Sequence, residues 1–582
     1  MDQDFNKKLP MDSLLLEQLS FLYGDSTAES LLPRLRAVMG RYPLPAIPGS
    51  HSSRELPLNE RNSLLIAYAD QVREKGKAPL QTLGDFAGEH LGGVVSGIHI
   101  LPFYPSSSDD GFSVKDYYQV DPDFGTWGHI EHLADRFELM FDAVFNHASA
   151  QGVWFKKFCE GDPAFKDFFV AVEGEPSLSQ VVRPRALPLL TPFKTAEGEK
   201  KVWTTFSADQ VDLNVKNPEV LLALVDALLF YVKHGARYIR LDAIAFLWKE
   251  IGTHCIHLPE THRIVQLMRA VLNEVAPQVL LVTETNVPHK DNISYFGDGT
   301  NEAQLVYNFA LPPLTLYSLL SGDGTHLTRW AQILHPPSPR VTFFNFLASH
   351  DGIGLNPARG ILTENHIGWL VEKSFEHGGL AGYKNNPDGS QSPYELNITY
   401  FDALSNPQSN EPLETQVNRF MVAHAIMLSL AGMPGIYFHS LFGSRNDRAA
   451  ADASGIPRRI NRQKLDRADL ERDLSDPQSL RSRVFRGISR LLHARQSSPA
   501  FNPVSKQHVL SLGESTFALT RTAPTGESIL CLHNLVNHSV EVNLEPVTSS
   551  GERWENIFTQ KVFGSHQYLK LQPYEVMWAR RL

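Results

Sequence analysis

The sequence predicts an α/β protein: a closed (β/α)8 TIM barrel with a lid insertion after strand 3, a long loop insertion after strand 7 and a C-terminal all-β domain. Three observations lead there. Short apolar, β-branched runs recur from about Asn62 with helical patterns between most of them. Two long segments, 148–205 and 353–411, interrupt that rhythm, and after about residue 503 alternating strands and turn signals take over. Strands that alternate with helices imply parallel pairing, and eight of them fit a closed barrel better than an open sheet. No G-x-G-x-x-G loop follows any of these runs, so a dinucleotide fold has no support.

Taken in order, residues 1–58 form an N-terminal helical extension. Its amphipathic stretches LLLEQLSFLY and AESLLPRLRAVM are followed by the Pro/Ser-rich linker YPLPAIPGSHSS. The catalytic barrel takes 59–147 and 206–502. Its strands are carried by SLLIAYAD, VVSGIHILPF, LMFDAVFNH, ARYIRLDA, VLLVTETN, AQLVYNFALP, VTFFNFLASHD and MPGIYFHSLF. The intervening NPEVLLALVDALLFYVKHG has Asn217 as N-cap, Pro218 in the first turn and Gly235 just past the end, the punctuation of a helix. Residues 148–205, rich in Phe, Pro and Lys, read as an inserted lid domain. The second insertion, with GYKNNPDGSQSPYELN, is a loop of a length that is either functional or disordered. Residues 503–582 read as a C-terminal β-sandwich.

Composition bounds the function. With 582 residues, 42% hydrophobic and 20% charged, the chain is an ordinary globular protein of two or three domains. A formal charge of −10 argues against nucleic acid or an acidic membrane as partner. Cys159, Cys255 and Cys531 are odd in number and widely spaced, so neither a disulfide framework nor a zinc site is expected. The polar start MDQDFNKKLPMD shows no secretory signal. The longest apolar stretch, around 220–232, is broken by Asp226 and too short to span a bilayer. These features predict a cytoplasmic protein. No acidic loop of EF-hand type is visible, so no metal is expected. A homo-oligomer is compatible with the N-terminal extension as a packing surface.

Barrel enzymes carry their chemistry at the C-terminal ends of the strands, and the polar residues there are informative. The third strand ends Asp142-Ala-Val-Phe-Asn146-His147, the fourth holds Arg240 and Asp242, the fifth ends with Glu284 and the seventh with His350-Asp351. Charged residues are seldom buried unpaired, yet Arg240 and Asp242 share one face of the apolar run YIRLDAIAF. Carboxylates from separate strands that meet in one mouth suit retaining chemistry on a glycosidic bond, which needs a nucleophile and an acid roughly 5–5.5 Å apart. In that reading Arg240 keeps Asp242 ionised as nucleophile, and Glu284, less well paired, keeps a raised pKa as acid and then base. A strand Arg–Asp pair is also a common structural ion pair, and His147 or His350 alone would pass for core histidines. Asp142 is read as structural, facing away or bracing the loop.

With DAVFNH, QVDLN, RLDA and HDGIG in place over residues 64 to about 465, the sequence resembles the α-amylase family of glycoside hydrolases, in its sucrose phosphorylase branch. The resemblance implies Asp242 as nucleophile, Glu284 as acid/base and Asp351 as transition-state stabiliser. It implies His147, Arg240 and His350 as contacts to glucosyl hydroxyls, Asp109 and Arg462 as a pair closing the non-reducing end, and Phe112 as an apolar platform. LPFYPSSSDDGFSV, RPRALPLLTPF, ETNVPHKDNI and LASHDGIGLNP are similar to glucosylglycerate phosphorylases. The acceptor loops depart from sucrose phosphorylases: Phe246 stands where Tyr is common, Thr285-Asn286 replaces Val-His, and PYELN replaces a Tyr-Gln loop.

A phosphorylase needs cations beside the leaving group and a mouth that excludes water. The resemblance places Arg185 near phosphate; Arg183, His289, Lys290, Lys384 and Arg445 are further candidates, each of which could also be a solvated surface charge. The substrates expected are a small glucoside, 2-O-α-D-glucosyl-D-glycerate, and inorganic phosphate, without a cofactor, since neither step is redox. A phosphorylase of sucrose, glucosylglycerol or sucrose 6-phosphate is the alternative, then a plain α-glucosidase; the complete Asp/Glu/Asp set argues against a binding scaffold without activity.

Overall fold

The computed structural model describes residues 11–43, 56–185, 187–386, 389–545, 551–564 and 568–582. Most of the YPLPAIPGSHSS linker and of the polar N-terminus lies outside them. Eight parallel strands close into a barrel: Leu64–Ala67, Gly97–Ile100, Glu138–Ala143, Ala236–Leu241, Leu280–Thr283, Leu305–Tyr307, Thr342–Asn345 and Met433–Tyr437. The first and last pair directly, Leu64 opposite Gly435. Every residue of the first, fifth and seventh strands is buried. That two-sided burial is why these strands read as unbroken apolar runs and not as alternating ones.

The helix Pro218–Lys233 begins where its signals place it, with the Asn217 side chain accepting from the Glu219 N–H at 3.0 Å. Asp226, the acid within its apolar stretch, is buried and spoken for. It accepts from Arg41 at 2.5 Å and from the Tyr118 hydroxyl at 2.7 Å. Arg41 follows the helices Met11–Tyr23 and Asp25–Met39, which pack on Pro259–Val275 and Pro218–Lys233 and bury Leu15, Leu19, Leu31 and Leu35.

After the third strand a small antiparallel sheet, Ala171–Val172, Leu190–Thr195 and Gly198–Trp203, encloses an apolar cluster of Val172, Val181, Leu189 and Trp203. Cys255, from the loop after the fourth strand, completes that cluster, and the Val182 N–H donates to the His254 carbonyl at 3.0 Å. The insertion is therefore fastened across the barrel mouth. The excursion after the seventh strand is folded, not a plain loop. It holds the helix Glu364–Glu376, the hairpin Leu380–Asn385 with Gln391–Asn397, and the short helix Tyr400–Leu404. Thr363 caps the first of these, accepting from the His366 N–H, and Ile367, Leu370 and Val371 turn its apolar face inward. The hairpin escapes a sequence reading because its residues are polar and a bulge breaks the alternation.

The C-terminal part is a six-stranded antiparallel sheet, with a ribbon of Val540–Asn543 and Tyr568–Leu571 closing over Leu530, Leu532, Val542 and Leu571. All three cysteines are free. Among the described residues no helix is long and apolar enough to cross a membrane.

Candidate active site

A cavity of about 830 Å³ opens at the C-terminal ends of the strands, lined by both insertions and by Asp242, Glu284 and Asp351. The volume is ample for a disaccharide-sized ligand. Its floor answers why a strand should bury two charges. Barrel register sets Arg240 opposite Asp142; its Nη1 donates to Asp142 and, at 2.9 Å, to Asp242 Oδ1. His99 Nε2 holds the other Asp142 oxygen at 2.7 Å. Asp142 thus faces into the barrel, not away from it, and braces Arg240.

Glu284 arrives from the fifth strand with Oε2 3.8 Å from Arg240 Nη2. The Ala243 N–H donates to the same oxygen at 3.1 Å. Ala243 does so from φ +48°, a left-handed conformation uncommon for alanine, directly after Asp242. Asp242 and Glu284 therefore flank one guanidinium. Burial pushes both carboxyls upward, with the neighbouring acids adding to it and Arg240 opposing. Two such groups titrate as a pair. Arg240 donates directly to Asp242 and lies farther from Glu284, an asymmetry that favours the charge on Asp242 and the proton on Glu284.

Asp351 sits in the opposite regime. Although burial would raise it, Arg458 foremost, then His350 and Arg462, hold its carboxyl far below the usual range. Arg458 donates to Asp351 through Nη1 and grips Glu395 with Nε at 2.9 Å and Nη2 at 2.8 Å. Phe112 and His350 stack at 4.7 Å with 4° between their planes and both face the cavity. Burial pushes His350 down to about 3, and also lowers His147, so both rings are neutral near pH 7. His147 Nε2 donates to the Phe112 carbonyl at 3.0 Å.

Some expectations need correction. Arg462 does not pair with Asp109: its Nη1 donates to Asp110 at 2.7 Å, and its Nε to the His350 carbonyl at 2.8 Å. The turn Asp109–Gly111 takes both aspartates through positive φ. That turn directs Asp110 to Arg459 and Arg462, and leaves Asp109 facing the cavity near Gln210 and Arg185. Neither Arg240 nor Arg462 lines the cavity; both lie one layer behind it, under the carboxylates. Of the anion candidates, Arg183, Arg185 and Lys384 line the cavity, whereas His289, Lys290 and Arg445 do not. Arg445 is already engaged by Asp402 at 2.7 Å and Gln416 at 2.8 Å. Arg458, Glu395 and Tyr394 were missed by the sequence reading, although the doubled arginine of PRRINR and the altered PYELN loop were the available signals.

Residues 90–342 match the family model of the α-amylase catalytic domain. Over 565 residues, 97% of this chain and 98% of the relative, the sequence is 50% identical to a glucosylglycerate phosphorylase of Allomeiothermus silvanus. The chain belongs to the α-amylase family. A second glucosylglycerate phosphorylase, from Spirochaeta thermophila, is 51% identical over 90% of this chain and 89% of its own. The crystal structure of the sucrose 6F-phosphate phosphorylase from Thermoanaerobacter thermosaccharolyticum superimposes with a TM-score of 0.72 at 23% identity, covering 88% of this chain and 98% of that one. This last likeness concerns the fold alone.

Proposed function

We propose that this chain is a retaining glucosylglycerate phosphorylase, converting 2-O-α-D-glucosyl-D-glycerate and phosphate to α-D-glucose 1-phosphate and D-glycerate. Near-full-length similarity to glucosylglycerate phosphorylases carries this reading, and the cavity chemistry supports it. Asp242, ionised beside Arg240, attacks the anomeric carbon while Glu284 gives its proton to the departing glycerate oxygen. A β-glucosyl ester on Asp242 results. Phosphate then enters and gives a proton to Glu284, and its oxyanion attacks the same carbon from the side glycerate left, breaking the ester bond and releasing the Asp242 carboxylate, so the α configuration is retained. Asp351, held ionised by Arg458, and the neutral His147 and His350 take the glucosyl hydroxyls, with Phe112 beneath the ring.

Phosphate must win against water. Water exceeds millimolar phosphate by roughly four orders of magnitude, so the site has to favour the anion by about 5.5 kcal/mol or more. Arg183 and Arg185 on the inserted segment supply fixed positive charge at the mouth, and the fastening of that segment to the loop after the fourth strand limits access of solvent. The test is phosphate release from glucose 1-phosphate with glycerate, glycerol, fructose or fructose 6-phosphate as acceptor. Glycerate is expected to give the fastest turnover; fastest release with fructose would make it a sucrose phosphorylase, and glucose formation independent of phosphate a hydrolase.

The cation on Asp351 has a measurable consequence. With Arg458 replaced by methionine, the carboxyl loses its nearest positive charge and its pKa rises. The ionised form is the active one. The acid limb of kcat/KM is set in the wild type by Asp242, which burial pushes up, so it moves upward in Arg458→Met only where Asp351 rises past Asp242; a limb that moves downward would contradict the account.

A further inference from the structure

The hairpin inserted after the seventh strand carries a feature the mechanism does not use. Gly382 pairs with Glu395, but the next pair is Tyr383 with Pro393, so Tyr394 is an extra residue on its strand. Such bulges re-aim side chains. Here Tyr394 lines the cavity, close enough to Glu284, Arg458 and Arg185 to sense their charges. Lys384, two residues on from Gly382 and on the same face, lines it as well. Gly382 lies against Glu395, which holds Arg458, and the Glu395 side chain fills the place a Cβ there would take.

The charges around the cavity are unequally satisfied. Arg185 has Asp109, Arg458 has Asp351 and Glu395, and Arg359 has Glu364. Lys384 makes no ion pair or side-chain hydrogen bond among the described residues; burial and then Arg359 disfavour its charge, and Glu364, itself paired with Arg359, offsets them only in part. Asn356, itself buried, and Asn286 line the same cavity. A half-buried ammonium with no carboxylate in direct contact among the described residues, with a second cation and amides lining the same cavity, suits a bound anion.

We infer that Lys384, with Arg359 and Asn356 at its base, forms the subsite for the carboxylate of the three-carbon acceptor, distinct from the lid arginines Arg183 and Arg185 that face phosphate. The inference rests on the proposed glycerate specificity. It accounts for one enzyme handling two small anions in turn: each meets its own cation while its attacking oxygen occupies the same point beside Glu284.

Two kinetic series on the full chain test it, for the wild type, Lys384→Met and Lys384→Arg. In synthesis from glucose 1-phosphate, the KM for D-glycerate is expected to rise by about 10- to 100-fold in Lys384→Met, the scale of a lost charge-assisted bond, and to recover most of the way in Lys384→Arg. With α-glucosyl fluoride as donor, which has no carboxylate, the KM for phosphate should stay within about twofold. A parallel rise in the phosphate KM, or an unchanged glycerate KM, would overturn the division of labour. A wild type that releases no phosphate with glycerate would instead remove the glycerate reading itself, and the inference with it.

Discussion

Asp242→Asn is expected to lower phosphorolysis by about four orders of magnitude or more, the scale on which loss of a nucleophile is felt when neighbouring groups act only through it. The amide is nearly isosteric, so Arg240 keeps a hydrogen-bond acceptor and the floor of Asp142 and His99 is undisturbed. What is lost is the negative charge that forms the ester. Thermal stability should therefore hold or increase, because one buried carboxylate crowded by Glu284, Asp142 and Asp351 is removed. Trapping with a fluoroglucoside followed by intact-mass measurement should label the wild type and leave the variant unlabelled. A variant that still turns over at a tenth of the wild-type rate would place the nucleophile elsewhere.

Glu284→Gln has a more discriminating signature. Loss of general acid catalysis is expected to lower turnover of the natural glucoside by about 10²- to 10⁴-fold. With α-glucosyl fluoride, whose leaving group needs no proton, formation of the ester should return to near the wild-type rate. Attack of phosphate also arrives with less need of a base, since the dianion is already deprotonated; water gains no such advantage. The ratio of phosphorolysis to hydrolysis is therefore expected to rise in the variant. Equal defects with both donors would mean that Glu284 positions substrate and moves no proton.

The barrel was legible because two-sided burial writes each strand as an apolar run, and because helix punctuation such as Asn217-Pro218 and Gly235 separates them. Seven of the eight runs quoted from the sequence contain a whole barrel strand, and LMFDAVFNH contains all of its strand but Glu138. The acids at the strand ends were legible for the same reason: polar residues interrupt such runs only where they are paired or used. The layer that supports them was harder to read. Whether Arg462 meets Asp109 or Asp110 depends on a turn with two consecutive positive-φ aspartates, and a local sequence does not fix which of the two neighbours points inward. Arg458 escaped because its partners, Asp351 and Glu395, lie 107 and 63 residues away in the chain. The hairpin that carries Lys384 and Tyr394 escaped because its bulge cancels the period-two pattern.

The ester on Asp242, attacked by phosphate instead of water, is tested most directly by the product itself. Glucosylglycerate incubated with phosphate can be followed by phosphorus and proton magnetic resonance from the first turnover. The expected product is α-D-glucose 1-phosphate, formed in step with D-glycerate and with no free glucose ahead of it. First-formed β-D-glucose 1-phosphate would mean a single displacement without the ester, and glucose appearing at the same rate in the absence of phosphate would mean that the cations at the mouth do not select the anion.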